Sequence, residues 1–315
     1  MRLFLSLLLL FMQTPQAPDF ARVDHAGSGN KPEVRFAFTN SGVSDAVLSL
    51  FGVPNSSGLN ALSQVLPSAV SATVTTGDQP YAVAYNSTNN TVYITNSNAG
   101  TVSVINCTTN ALITTITVGT TPLGIAYNSS NNRMYVCNNG GSSSISVINC
   151  ATNTVIATVS APDGSLNFVA YNSTNNNIYV TSADAAIYIF PMDCATNTFG
   201  TAITVGSIPI GIAYNSTNNR IYVANSVSDN VSVINCVTNA VIATITVGNE
   251  PYNLAYDSAG NRIYVTNITD NTVSVINCTT NTVSTTITVS GDVEYGIAYN
   301  VLNNVVYVSL RSNGS

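Results

Sequence analysis

Carboxylates are the side chains of this sequence best placed to do chemistry, and they gather in two kinds of loop within a repeating unit. Loops that enter the first strand of a unit carry Asp78, Asp163, Glu250, Asp292 and Glu294. Loops between the second and third strands carry Asp45, Asp184, Asp229 and Asp270. Both kinds of loop lie on one face of a four-stranded meander, so the sequence predicts an acidic rim on that face.

An acidic rim would attract cations or basic partners through its local potential. The candidate ligand- and cation-binding residues are Asp78, Asp163, Glu250, Asp292, Glu294, Asp229 and Asp270. Ca²⁺ is the candidate ion because it binds carboxylate oxygens. No Asp-x-Asp run of ligands is present, so the sequence does not identify the metal. Because Asp also suits tight turns, solvated loop residues are the alternative interpretation.

Other catalytic groups are scarce. The only histidine is His25 and the only lysine is Lys31, so the repeats contain neither an imidazole base nor a Schiff-base lysine. Two carboxylates would suffice for glycoside hydrolysis. The deep positions of the first strands, however, are mostly Gly, Ile, Val and Ala, apart from Asn167 and Asn253. The sequence therefore indicates no catalytic residue and favours a non-enzymatic role.

A unit of roughly 42 residues positions these loops, a period typical of propellers and repeat arrays. Ala-Tyr-Asn-Ser stands at 84–87, 126–129, 170–173 and 213–216, with variants at 255–258 and 298–301. Within residues 122–164, short β-branched segments alternate with tight polar turns, which predicts four strands. Four short strands per period predict the blade of a β-propeller, and no repeat reads as a helix.

Several motifs resemble the YVTN family of β-propeller repeats. Tyr-Val-Thr-Asn at 264–267, with related segments at 93–96 and 222–225, matches the signature of that family. Val-Ser-Val-Ile-Asn at 102–106, 231–235 and 273–277 matches too, as does Thr-Val-Gly at 204–206 and 246–248. The resemblance covers roughly residues 33–310. It implies a propeller at a bacterial or archaeal surface, or exported, without implying one activity.

The two ends of the chain decide the number of blades. Complete units begin near Pro80, Pro122, Leu166, Pro209 and Pro251. Residues 34–40, 46–51 and 70–75 read as strands before them, and 295–299 and 305–310 as strands after them. We therefore predict an all-β propeller of six blades, closed by pairing of N- and C-terminal strands because open sheet edges promote aggregation. A truncated seven-bladed ring is the alternative.

The N-terminus has the pattern of a signal peptide. Arg2 is followed by an apolar run from Leu3 to Met12, long enough for a signal core and too short to span a membrane. We predict a signal peptide at 1–17, an N-terminal segment at 18–32 and the propeller at 33–315. After cleavage the protein would be secreted, periplasmic or at the cell surface, and not an integral membrane protein.

Cysteines and sequons both follow the repeat. Because equivalent positions in neighbouring blades are too far apart for a disulfide, Cys107, Cys150, Cys194, Cys236 and Cys278 are expected to be free and partly buried. Asn-x-Ser/Thr sequons at Asn86, Asn128, Asn172, Asn215, Asn267 and Asn277 are interpreted as turn residues rather than glycosylation sites.

Two functions remain for this sequence. The first is an interaction or structural scaffold whose loops bind an extracellular protein, a glycan or a neighbouring copy. The alternative is an ion-dependent or small-molecule propeller enzyme that uses the acidic rim. A net charge of −6 and eight basic residues argue against a nucleic-acid partner. The regular apolar first strands favour the scaffold.

Overall fold

A computed structural model describes residues 20–24, 33–37, 72–141, 143–162, 164–182, 187–301 and 304–311. The fold is a six-bladed β-propeller, as predicted, and the described residues contain no helix, so none that could span a membrane. Each full blade is an antiparallel meander whose first strand lies at the channel and whose last strand lies at the rim.

Five blades follow one another along the chain. Blade 1 comprises β4 (Pro80–Asn86), β5 (Thr91–Asn96), β6 (Thr101–Asn106) and β7 (Ala111–Thr117). Blade 2 comprises β8 (Pro122–Asn128), β9 (Arg133–Asn138), β10 (Ser144–Asn149) and β11 (Thr154–Ser160). Blade 3 comprises β12 (Leu166–Asn172), β13 (Asn177–Ser182), β14 (Tyr188–Asp193) and a divided outer strand, β15 (Thr198–Phe199) with β16 (Ile203–Thr204).

Blades 4 and 5 return to the regular pattern. Blade 4 comprises β17 (Pro209–Asn215), β18 (Arg220–Asn225), β19 (Asn230–Asn235) and β20 (Ala240–Thr246). Blade 5 comprises β21 (Pro251–Asp257), β22 (Arg262–Asn267), β23 (Thr272–Asn277) and β24 (Thr282–Thr288).

The chain ends supply the remaining strands, in two separate sheets. β25 (Asp292–Asn300) pairs with β26 (Val305–Arg311), and β25 packs against β21 of blade 5. β1 (Phe20–Asp24), β2 (Glu33–Ala37) and β3 (Ala72–Thr75) form the second sheet, whose β3 contacts β7 of blade 1. The described strands of the two ends do not pair with each other, so closure through strand pairing stays a prediction. The sequence did not predict β1, and the strand expected at 46–51 lies outside the described residues.

Apolar residues of adjacent blades form the core. One cluster joins Tyr93 and Val104 of blade 1 to Met134 and Ile148 of blade 2, and corresponding clusters fill the next four junctions. Both faces of a blade are therefore buried, because neighbouring blades cover it on both sides.

A buried asparagine at the end of the inner strand joins each of blades 1 to 4 to the next blade, whereas blade 5 has the buried Asp257 at this position. In blade 3, Asn172 is fully buried, and its Oδ1 accepts hydrogen bonds from the backbone N–H groups of Thr174 and Asn175. Its Nδ2 donates to Oδ1 of Asn219 in blade 4, at 2.8 Å. Equivalent bonds join Asn86 to Asn132, Asn128 to Asn176 and Asn215 to Asn261. The turn interpretation is confirmed for these four sequons, since their amides are buried and bonded to their own turns. Asn267 differs, because it is the last residue of β22 and pairs with Thr272 of β23.

Tyrosines of the repeat add further hydrogen bonds between adjacent blades. Tyr214 at the end of β17 shares a hydrogen bond with the Thr174 hydroxyl of the preceding blade, at 2.7 Å. Tyr179 of β13 donates to Oδ1 of Asn239 in blade 4, at 2.8 Å. The acceptor asparagines close their turns with φ near +55°, for example +52° at Asn219 and +53° at Asn239. Asn tolerates this left-handed conformation better than most residues, which explains why these turns end in Asn.

The cysteines are free thiols, as predicted. Cys150, Cys194, Cys236 and Cys278 are buried at the ends of third strands, and Cys107 is partly buried. Burial raises the pKa of Cys107 to about 11, so its thiolate is scarce at neutral pH. These residues therefore act as small apolar side chains in the blade junctions.

Replacing Asn172 by Ala should lower the free energy of unfolding by about 2–4 kcal/mol, because buried partners in two blades lose hydrogen bonds. Asn277→Ala is the matched control, since Asn277 makes the same turn bonds, with Thr279 and Thr280, at a more exposed outer turn. That control should cost about 1 kcal/mol. Urea unfolding followed by circular dichroism measures both, and equal losses would show that the link between blades adds nothing.

Candidate functional site

Four aromatic rings from different blades meet inside the central channel. Tyr81 of β4 lies 6.1 Å from Phe168 of β12, and Phe168 lies 6.4 Å from Tyr252 of β21, edge to face. Tyr252 stacks at 4.4 Å, tilted by 57°, on Tyr295 of β25. Since blades 1, 3 and 5 are not neighbours in the ring, these contacts cross the channel axis. We call these four residues the aromatic cluster.

A bulge at the start of each inner strand places the cluster. Regular pairing is interrupted between Pro80 and Val83, and the same shift recurs in the later inner strands. In β25 the bulge encloses three residues, 294–296, and in blades 1 to 5 it encloses two. In blade 4 the second of them is Gly211, where a Cβ would lie 2.7 Å from the Cα of Asn253, so only glycine fits.

A hydroxyl from the second strand holds the bulge of each blade that contributes an aromatic residue. In blade 1, Thr95 Oγ1 accepts from the N–H of Ala82 at 3.0 Å and donates to the carbonyl of Leu123 in blade 2 at 2.8 Å. The N–H groups of Phe168, Asn253 and Gly296 bind the hydroxyls of Thr181, Thr266 and Ser309 in the same way. Blades 2 and 4 carry Cys137 and Ala224 instead of a hydroxyl, and aliphatic Leu123 and Ile210 at their bulges.

Burial keeps the phenols of the cluster neutral. It raises the pKa of Tyr81 to about 12, against a smaller opposite effect of hydrogen bonding with Tyr252. Burial also raises the pKa of Tyr252, and the nearby Tyr81 and the Glu250 carboxylate raise it further. At neutral pH the cluster therefore offers aromatic faces and hydroxyl dipoles, not a phenolate nucleophile or base.

The two asparagines flagged in the first strands lie beside this cluster and are already bonded. Asn167 Oδ1 accepts from Asn139 Nδ2 at 2.9 Å. Asn253 Nδ2 donates to the carbonyl of Tyr295 at 3.1 Å, and its Oδ1 accepts from the N–H of Leu254. They fix the inner strands relative to their neighbours.

Part of the predicted acidic rim comes together in the loops around blade 5. Asp229 Oδ1 accepts from the N–H of Glu250 at 2.9 Å, and Glu250 Oε2 accepts from the Thr269 hydroxyl at 2.8 Å. Asp270 accepts from both the N–H and the Nδ2 of Asn249, at 2.7 and 2.8 Å. These bonds join the loop entering blade 5 to loops of blades 4 and 5.

The other acids of the rim are held elsewhere or are not described. Asp78 accepts from Asn98 Nδ2 at 3.1 Å, and Asp292 stands opposite Arg311 in the β25–β26 ladder. Asp163 and the side chain of Glu294 lie outside the described residues. Within the described part of the chain, no three Asp, Glu, Cys or His side chains lie close enough to hold a metal ion. The Ca²⁺ site therefore stays a prediction.

Neutral residues perform the same tasks as two of these acids. Asn271 Oδ1 accepts from the N–H of Val293 at 2.8 Å, one blade after the corresponding bond from Glu250 to Asp229. Ser228 Oγ accepts from the N–H of Ser207 at 2.8 Å, where the next blade uses Asp270 and Asn249. A neutral oxygen thus suffices at both places, which favours the interpretation as loop residues.

No family model and no curated protein matches the chain. Among solved structures, the Kuenenia stuttgartiensis hydrazine synthase is similar, with a TM-score of 0.66 and 17% identity over 78% of this chain and 87% of that one. A functionally unknown protein from Desulfotomaculum acetoxidans has a TM-score of 0.62 and 14% identity, over 88% of this chain and 75% of that one. At such identities the similarity supports the propeller fold alone.

The aromatic cluster was not predicted from the sequence. The tyrosines were interpreted as repeated core residues and the channel positions as small or aliphatic. Aromatic residues inside the bulges, however, occur in some blades and not in others; they are Tyr81, Phe168, Tyr252 and Tyr295. A usable signal was the third position of the second-strand signature. That position is Thr or Ser in blades with a channel aromatic, and Cys or Ala in the two blades without one.

Replacing Asp229 by Asn should change the free energy of unfolding by less than about 0.5 kcal/mol, because an amide oxygen can still accept from Glu250. Asp229→Ala should cost about 1–2 kcal/mol, since it removes the acceptor and places Ala at a φ of +52°. Urea unfolding at low ionic strength compares the two variants. Equal destabilisation by both would mean that the negative charge itself is needed at this loop.

Proposed function

We propose that this chain is an exported propeller of the YVTN type that serves as an interaction scaffold. Its partner, an extracellular protein, glycan or neighbouring copy, would bind the loops on the face where the inner strands begin, which we call the entry face. The observation that carries this proposal is that the two faces of the ring differ in which residues repeat from blade to blade. On the opposite face, repeated side chains such as Asn172 and Tyr179 form hydrogen bonds between adjacent blades. The entry face holds the residues that differ between blades.

The YVTN assignment is supported by the way its motifs fit together. Asn267 Nδ2 donates to Thr272 and to Ser274 of the Val-Ser-Val motif, both at 2.9 Å. A Cβ on Gly248 of the Thr-Val-Gly motif would lie 2.7 Å from Cγ of this asparagine. Asn225, Ser232 and Gly206 repeat the arrangement one blade earlier. The three motifs are therefore one packing unit, which suits a family defined by all three.

The alternative enzyme would use the acids of the entry face as its catalytic groups. Glu250, Asp229 and Asp270 all accept hydrogen bonds that shape their loops. Their carboxylates act in the place of neutral residues in neighbouring blades, which favours a binding surface over a hydrolytic site.

Export can be tested at the N-terminus of the protein from its native cells. The proposal expects a chain beginning near Pro18 in the envelope or the medium, identified by mass spectrometry of its first peptide. Recovery of protein with an intact Met1 from the cytosol would contradict export.

Binding through the entry face can be tested with charge-neutral variants. After cross-linking on intact cells, the wild-type protein should recover a partner that the Asp229→Asn, Glu250→Gln, Asp270→Asn triple variant recovers less well. Arg262→Gln is the matched control, because it also removes an exposed charge but lies at the start of β22, at the opposite face. If the control loses the partner and the triple variant keeps it, the binding face has been misassigned.

A further inference from the structure

The aromatic cluster is a departure from the repeat that the joining of blades does not explain. Leu123 and Ile210 fill the corresponding bulges of blades 2 and 4, so aliphatic side chains are compatible with this channel. Blades 1, 3, 5 and the C-terminal pair instead use Tyr or Phe. Tyr81 and Tyr252 are buried, while Phe168 and Tyr295 are partly exposed, so the cluster reaches solvent through these two rings.

The charges around the cluster are mainly negative. Tyr81 follows Asp78 by three residues, Tyr252 follows Glu250 by two, and Tyr295 follows Asp292 by three. Glu250 precedes Tyr252 by two residues in the loop that enters blade 5, and it raises the pKa of the Tyr252 phenol after the larger effects of burial, Tyr81 and Tyr295. Of the basic residues that the structure describes, three stand at the start of second strands at the opposite face, two lie in the N-terminal sheet, and one is the ladder partner of Asp292. They are Arg133, Arg220 and Arg262, then Arg22 and Arg35, then Arg311.

We propose that the aromatic cluster and the adjacent Glu250 form a binding site for an alkylammonium group at the mouth of the channel. The negative faces of aromatic rings attract a weakly hydrated organic cation, and a carboxylate beside them adds to that attraction. This inference rests on the proposed function, because it names the chemistry by which the entry face would recognise a partner.

The chemistry of the site favours an alkylammonium group over other ligands. An anion would be repelled by Glu250 and by the aromatic faces. A divalent metal needs several oxygen ligands at one point, whereas no three Asp, Glu, Cys or His side chains of the described residues lie close enough together to hold one. An alkylammonium group needs only exposed ring surface and one nearby negative charge.

Choline and its neutral isostere 3,3-dimethyl-1-butanol test the proposal, because they share shape and hydroxyl and differ in charge. Isothermal titration of the purified protein at low ionic strength should show saturable binding of choline and roughly tenfold weaker or undetectable binding of the isostere. Equal affinities, or no choline binding at millimolar concentrations, would overturn the site.

Three variants locate the binding. Phe168→Leu and Glu250→Gln should each weaken choline binding several-fold, by removing a ring or the charge. Tyr188→Leu is the aromatic control: Tyr188 is exposed and packs against Phe190 on the third strand of blade 3, away from the inner strands. Its choline affinity should be unchanged. Equal weakening by all three variants would remove the cluster from the site. The melting curve of each variant shows whether a loss reflects unfolding.

The source of the group is resolved by a second titration, with a peptide carrying trimethyl-lysine and the same peptide carrying norleucine. Tighter binding of the trimethyl-lysine peptide than of choline, without binding of the norleucine peptide, would assign the site to a protein partner. Binding of choline without binding of either peptide would assign it to a small molecule. Since these titrations use purified protein, choline binding by a protein that recovers no cellular partner would contradict the scaffold and leave the site standing.

Discussion

The propeller depends on the side-chain amide of a buried asparagine. In blades 1 to 4, Asn172 and its equivalents accept from their own turn and donate to the next blade, which requires a group with both a carbonyl and an NH₂. Blade 5 has Asp257 at this position, and its carboxylate accepts from the N–H of Gly260 in its own turn. A carboxylate accepts but does not donate, and a hydroxyl cannot reach both partners. This requirement explains why a chain with 7% charged residues uses amides and hydroxyls as its polar side chains. Ionic groups would have to be desolvated at every junction between blades.

The same requirement separates the two faces of the ring. Hydrogen bonds between blades, such as Asn172 to Asn219 and Tyr179 to Asn239, repeat on one face. Replacing either partner therefore weakens a junction between two blades. Residues of the entry face are less constrained, since their loops need only an oxygen that accepts from a backbone N–H. Asp229 and Asn271 meet that need equally. Individual residues can therefore differ there without disturbing the ring.

Most of the fold could be predicted from the sequence because strands and turns leave local signals. Alternating β-branched residues and the Thr-Asn turns located the strands of blades 1, 2, 4 and 5. Blade 3 was harder, since Phe190 and Pro191 replace the usual Ser-Val and its outer strand divides into β15 and β16. The cysteines could be predicted as free thiols because equivalent positions in neighbouring blades of a ring are too far apart to form a disulfide.

The candidate site was less predictable for a geometric reason. A bulge breaks the two-residue period at the start of each inner strand, so the sequence does not indicate whether Tyr81 or Ala82 faces the channel. The contact between Tyr81 and Phe168 joins blades that are not adjacent, and no local pattern encodes it. The acids are different, because local turn signals located their loops, and the oxygens of Asp229, Glu250 and Asp270 accept hydrogen bonds from residues of these loops. A ligand site at these carboxylates stays a prediction.

The channel aromatics are also hard to explain as packing alone. Burying a phenol hydroxyl costs desolvation free energy that Leu123 and Ile210, at the same position of neighbouring blades, avoid. Tyr81 and Tyr252 nevertheless lie at the axis, where burial holds their pKa values above the usual range. The Thr hydroxyls that hold their bulges, Thr95 and Thr266, add polar groups to a region that Ala224 leaves apolar. Since aliphatic side chains fill the bulges of blades 2 and 4, closing the ring does not by itself require aromatic residues at Tyr81 and Tyr252.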